Sequence, residues 1–242
     1  MSEWWTYRLT SFLLFSPRTY YRTIELYNLD VWPAQLAGLA IGVAIVVLLS
    51  TRSARRDRIV PALLAVCWLW IGWAFHYERY AQINWTATWI GAAFALQSGL
   101  LVGFGVIGGR AVFALPGGFR SSLAIALIAL IAVGYPLLAT LNGRAWTSAE
   151  AFGVAPDPTA LATVAVVALV RGRIRWLLLA IPLAWCAFTA LTLRAMQSPE
   201  AFVVIVIALL ALLQSFGGKR GRAAAGAAFT SRAASGARSR RG

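Results

Sequence analysis

The chain has 242 residues, of which 60% are hydrophobic and only 12% charged, and it carries a formal net charge of +14 with one histidine and two cysteines. Ordinary soluble domains are about 25% charged, so this composition excludes a single soluble core and points to an all-α helical bundle in lipid. The positive charge does not argue for nucleic acid, because its distribution follows membrane topology, and one histidine without a CxxC pair excludes a structural metal site by the usual ligand counts.

Residues 1–30 lack the basic leader and A-x-A-like site of a signal peptide, and the apolar run Phe12–Phe15 is too short to span a bilayer. Ser16 can cap a helix whose first position is Pro17. From there Arg18, Arg22 and Glu25 recur on one face, and Tyr20, Ile24 and Tyr27 on the other. This predicts an outer interfacial amphipathic segment, either an anchor at headgroup depth or a lid over an outward cavity, before the chain turns inward at Trp32 and Pro33.

Between Val31 and Phe216 the chain runs in apolar stretches of roughly 16 to 25 residues, each about long enough to cross a ~30 Å hydrocarbon core. The expected spans are Val31–Ser50, Ile59–Phe75, Trp85–Gly109, Ser122–Leu141, Ala155–Val170, Trp176–Leu193 and Ala201–Phe216. The fifth is about 16 residues long and opens with Pro156 and Pro158. Threading seven spans puts 16 of the 22 basic residues on one side and six on the other, with every acid except Asp57 on the second side. Basic residues are retained in the cytoplasm, so the amino terminus is predicted outside and the carboxyl terminus inside. Trp32, Trp73, Phe75, Tyr77, Tyr80, Trp85 and Trp89 gather at the expected outer interface and Trp176 at the inner one.

Residues 217–242 change to Gly, Ala, Ser and Arg and are predicted to be a disordered basic cytoplasmic tail. Lys219, Arg220 and Arg222 would meet anionic inner-leaflet lipids; nucleic acid is not the expected partner.

Several motifs carry little. Gly103, Gly105 and Gly108 match dinucleotide-binding spacing, but inside an apolar helix with no preceding strand and no acid about 20 residues on. With the pairs Gly99/Gly103 and Gly38/Gly42 they read as sites of close helix approach. Cys67 and Cys186 lie within spans as apolar residues. Lys219, the only lysine, lies beyond the last span and so excludes an intramembrane Schiff base. Neither a cofactor nor a metal is expected.

One polar cluster remains. His76, Glu78, Arg79 and Asn84 sit at the outer mouth of the second and third spans, and Glu25, Asn28 and Asp30 end the interfacial segment at similar depth. A histidine beside carboxylates and an arginine can bind a polar solute or shuttle a proton, or Arg79 can simply pair with an acid while the others cap helix ends. Within the spans, Gln35, Gln97, Ser98 and Thr189 can line a path or hydrogen-bond between helices.

The segments Phe15–Arg22 (FSPRTYYR), Glu25–Asn28 (ELYN), Val31–Gln35 (VWPAQ), Trp73–His76 (WAFH) and Ile83–Trp85 (INW) resemble a bacterial family of small multi-pass membrane proteins carried as a domain of unknown function, DUF6064. The resemblance reaches to about Phe216 and omits the tail. It implies a permease-like protein of the bacterial cytoplasmic membrane and supplies no catalytic residues.

Three functions follow as expectations. With no charge expected at the bundle's midplane, a permease or channel would take a small neutral or weakly polar solute. The absence of a visible internal repeat weakens that reading, because many carriers have one. A non-catalytic subunit or scaffold would dock a partner protein, with the basic tail as a contact. A membrane enzyme would work at the outer surface through His76 and Glu78.

Overall fold

The computed structural model describes residues 16–51, 53, 55–115 and 118–214, apart from the side chains at 118 and 120. The basic tail and residues 1–15 lie outside the described residues. Among those described, the regular elements are helical, with one isolated antiparallel bridge between Phe113 and Val170.

Helix α1 (Pro17–Asp30) starts where the sequence predicts: Thr19 N–H donates to Ser16 Oγ at 3.2 Å, and Pro17, which has no N–H to satisfy, opens the first turn. Its Tyr20, Ile24 and Tyr27 face is buried against protein. Tyr27 is fixed at both ends of its hydroxyl, donating to Val154 O and accepting from Trp70 Nε1, each at 3.1 Å. A bend of 90° leads into α2 (Ala34–Ser50).

Helices α3 (Arg56–Trp70), α4 (Ala87–Leu100) and α5 (Gly118–Ala129) each continue into wider π turns, at Ile71–Tyr77, Leu101–Ile107 and Leu130–Gly134. The short α6 (Leu137–Leu141) follows Pro136. Then come α7 (Pro156–Ala168), α8 (Ile174–Ala195) and α9 (Glu200–Gln214).

The loops sort to two ends. At an arginine-rich end, Arg56 donates to Phe113 O at 3.1 Å, Asp57 accepts from Phe113 N–H at 3.3 Å, and Arg171 N–H donates to Val112 O at 2.9 Å. At an acid-rich end, Asp30 pairs with Arg79, Asn28 donates to Thr147 O and Ala149 O, and Arg144 pairs with Glu200.

At the centre stands α7, every one of whose 13 residues is buried. A mostly apolar helix with no exposed face belongs in the middle of a bundle, and this explains why this expected span, one of the two shortest, is also the least amphipathic. Its partners hold it through close packing and interhelical hydrogen bonds; Trp68 Nε1 donates to Thr163 Oγ1 at 2.9 Å.

Glycines set how closely α2 approaches that centre. Gly38, Gly42, Ile45 and Leu49 form one buried stripe, while Leu36, Leu39, Val43 and Val47 face outward. A Cβ on Gly38 would stand 2.1 Å from Phe152 O, and one on Gly42 would stand 3.0 Å from Ala132 Cβ. Gly105 packs on Pro61 in the same way. The expected close approach fails at Gly99 and Gly103, where nothing lies within 4 Å of a Cβ because both face away from the neighbouring helices.

Three helical stretches are long and apolar enough to cross a membrane, Arg56–Gln82, Ala87–Ile107 and Ile174–Ala195, and a fourth counts if the bent pair Pro17–Asp30 and Ala34–Ser50 is taken as one. That is fewer than the seven spans expected from the sequence. The difference arises at short rods: Ser121–Gly134 and Glu200–Gln214 are apolar but under 18 residues, and α7 is about 20 Å long at 1.5 Å per residue.

Candidate functional site

Beneath α1, at the acid-rich end, three buried carboxylates lie near one half-buried arginine. Glu150, Asp157 and Glu200 are 4%, 3% and 2% exposed. Arg144, in the segment after α6, pairs with Glu200 in the first turn of α9, and Glu200 also accepts from Asn142 Nδ2 at 3.0 Å. The same guanidinium donates to Ser148 O at 3.2 Å and lies 4.2 Å from the Tyr21 ring centroid. Asp157 stands in the first turn of α7, where the helix dipole favours a negative charge. Its Oδ1 accepts from Trp185 Nε1 and Thr189 Oγ1, both at 2.8 Å and both from α8.

Not every polar atom there has a partner. Asp157 Oδ2, Glu150 Oε1 and the Tyr135 hydroxyl are buried without one among the described residues. Three carboxylates face one guanidinium, so full ionisation would leave two uncompensated negative charges in a low-dielectric site. Burial pushes the Glu150 carboxyl well above its usual range, the charges of Asp157 and Glu200 push it further, and Arg144 opposes them.

A groove of about 840 Å³ opens above this cluster, between Arg18, Tyr21, Arg22 and Glu25 of α1 and Arg144, Ala145 and Ser148. Arg22 pairs with Glu25 at 2.8 Å and Arg144 with Glu200, while Arg18, on the same wall, is in no ion pair among the described residues. Below, an enclosed cavity of about 10 Å³, near the lower limit for one water, lies among Tyr20, Tyr80, Trp185 and Thr189. A second groove, about 410 Å³, runs between α2 and the π turns after α5, and is lined mainly by apolar side chains with Asn28 and Gln35.

The sequence-predicted cluster is dispersed. Glu25 accepts from Thr147 Oγ1 at 3.1 Å on the surface, Asp30 and Arg79 form an ion pair, and Glu78 is exposed. His76 is wholly buried against Phe75, Phe94 and Trp185, so it and Glu78 face opposite environments. Asn84 is buried and accepts from Thr86 N–H at 3.1 Å, closing the turn into α4, and Asn28 ties α1 to the 147–149 backbone.

The four polar residues expected within spans lie in three places. Gln35 donates to Asn28 O at 2.9 Å. Gln97 donates to Leu178 O at 3.0 Å and the adjacent Ser98 to Ala65 O at 2.8 Å, which joins α4 to α8 and α3. Thr189, 11 residues beyond Leu178 on α8 and so about 16 Å away, holds Asp157.

The sequence-derived expectation of an interior without charge is corrected here. Asp157 lies inside the fifth expected span and is buried; Glu150 and Glu200, assigned to outer loops, are buried as well, because α1 and the 142–155 segment fold over them. A signal for them exists in the sequence: seven of the eight acids fall on the side that holds only six basic residues. Among the described residues no group of three or more His, Cys, Asp and Glu side chains is placed to hold a metal ion.

Residues 18–225 match the family described as "Family of unknown function (DUF6064)", and the chain belongs to that family. No curated protein and no solved structure matches it.

Proposed function

We propose that this protein is a multi-pass permease of the bacterial cytoplasmic membrane that admits a small neutral or weakly polar solute from the outer face. The observation that carries this reading is the groove of about 840 Å³ with Arg144 at its floor, in which two of the three arginines are paired with acids and Thr19, Tyr21, Thr23 and Ser148 join the lining. The chain would cross seven times, with the acid-rich end outside and the arginine-rich end in the cytoplasm. Supporting that orientation, Trp32, Trp85 and Trp89 are exposed near the acid-rich end, and Leu36, Leu69, Leu96, Leu191 and Leu209 form an outward apolar belt of the kind that lipid covers. The bilayer is then the principal partner, with anionic inner-leaflet lipids on Lys219, Arg220 and Arg222 of the tail.

The test is flux of labelled glycerol, sugars and amino acids into proteoliposomes. At least one solute should enter faster than in protein-free vesicles, and Ser148→Trp, which fills the groove, should cut that rate by about tenfold or more, while an unaffected rate would remove the groove from the path.

A second reading rests on the packed centre. With α7 wholly buried and Gln97 and Ser98 engaged between helices, the bundle also suits a non-catalytic subunit or scaffold docking a partner protein. That reading gains if no solute moves and gentle-detergent purification brings down a stoichiometric companion.

A further inference from the structure

Donor counts separate the three buried carboxylates. Glu200 has Arg144 and Asn142, and Asp157 has Trp185 and Thr189 at the amino end of α7, so both are arranged to be carboxylates. Glu150 has no hydrogen-bond donor among the described residues, and its buried Oε1 has no partner at all. Its charged neighbours are Asp157 on α7, Glu200 on α9 and Arg144 in its own segment. The titratable Tyr20 and Tyr21 of α1 and Tyr135 after α5 also face it, and Tyr135 holds a second buried, unpartnered oxygen.

We infer that Glu150 is a proton-binding site, neutral at physiological pH, which exchanges its proton with the outer groove. A carboxylate there would be a second uncompensated negative charge beside Asp157, and burial without a donor makes that form costly; the neutral acid removes the charge. The groove is close by: Ser148, two residues earlier, and Arg144, a charged neighbour of Glu150, both line it. The upward displacement of the Glu150 carboxyl by burial agrees with this assignment.

The inference does not depend on transport. Infrared difference spectroscopy of the full-length protein in liposomes, titrated from acidic to alkaline pH, should show the carbonyl stretch of one buried carboxylic acid persisting at neutral pH and shifting in D₂O. Glu150→Gln should abolish that band. Should that variant fail to fold, Asp157→Asn removes a neighbouring negative charge and should move the disappearance of the band to lower pH.

Thermal unfolding gives an independent readout. A carboxyl held above its unfolded value of 4.5 contributes stability that is complete below that pH and is lost as pH rises through the folded value. The melting temperature of the native protein should therefore fall with rising pH relative to that of Glu150→Gln. A native protein with no acid band at neutral pH, or a band unchanged in Glu150→Gln, overturns the proposal. A band present in a protein that moves no solute leaves the proton site standing and removes only the permease reading.

Discussion

Replacing Arg144 by methionine is expected to destabilise the protein by about 3–5 kcal/mol, because it strands Glu200 as a buried carboxylate without its cation. Glu200 is buried, with 2% of its side chain exposed against 13% of that of Arg144, so solvent screening reaches the pair only from the groove side. Among the described residues Arg144 is also the only guanidinium paired within the cluster of Glu150, Asp157 and Glu200, and its loss removes a stabilising charge from all three. Adding Glu200→Gln to the methionine variant should recover much of the loss by removing the stranded charge while keeping a group for Asn142. Denaturant or thermal unfolding of detergent-purified protein measures both variants. A single variant within about 1 kcal/mol of the native protein would mean that water reaches the pair, as it does at surface salt bridges.

Alanine at Gly38 or Gly153 should prevent native packing of α2, with a cost at or beyond the usual 1–3 kcal/mol of an overpacked core. The two glycines meet backbone to backbone. A Cβ on Gly38 would stand 2.1 Å from Phe152 O, and one on Gly153 would stand 2.9 Å from the Gly38 Cα. Neither obstacle is a side chain that can rotate away. Gly153 also has φ of +79°, where an L-residue with a Cβ is strained, and its N–H donates to Thr159 Oγ1 at 2.8 Å to hold the turn into α7. Gly99→Ala supplies the control: nothing lies within 4 Å of its Cβ, and alanine is the better helix former by about 0.8–1 kcal/mol, so it should be neutral or mildly stabilising. Comparable losses at Gly38 and Gly99 would contradict the observed approach of α2 to the 152–153 backbone.

Both predictions concern residues whose roles depend on distant partners. Arg144 was legible as one of six basic residues on the acidic side, but its partner, Glu200, is 56 positions away. Gly38 and Gly42 were legible as a small-residue pair, and so were Gly99 and Gly103; spacing alone could not tell which pair faces a neighbour. The predicted polar cluster failed to converge for a related reason. His76 and Glu78 are two positions apart in sequence, yet the π turn at Ile71–Tyr77 carries one inward and leaves the other on the surface.

The sequence by itself determined the features set by local chemistry and by the contrast between lipid and water. These are the all-helical class, the Ser16 cap and Pro17 start of α1, the two faces of that helix, and the segregation of arginines from acids at chain turns. Each depends on residues within a few turns of one another, and composition records them directly. Tertiary packing alone made one of the two shortest apolar segments the wholly buried centre and brought Glu150 and Glu200, expected outside the spans, to a common interior with Asp157 beneath α1. The physical reason is that burial and charge pairing belong to surfaces brought together from across the chain. A carboxylate beside a span reads in sequence as solvated, until another helix lies over it and excludes the water.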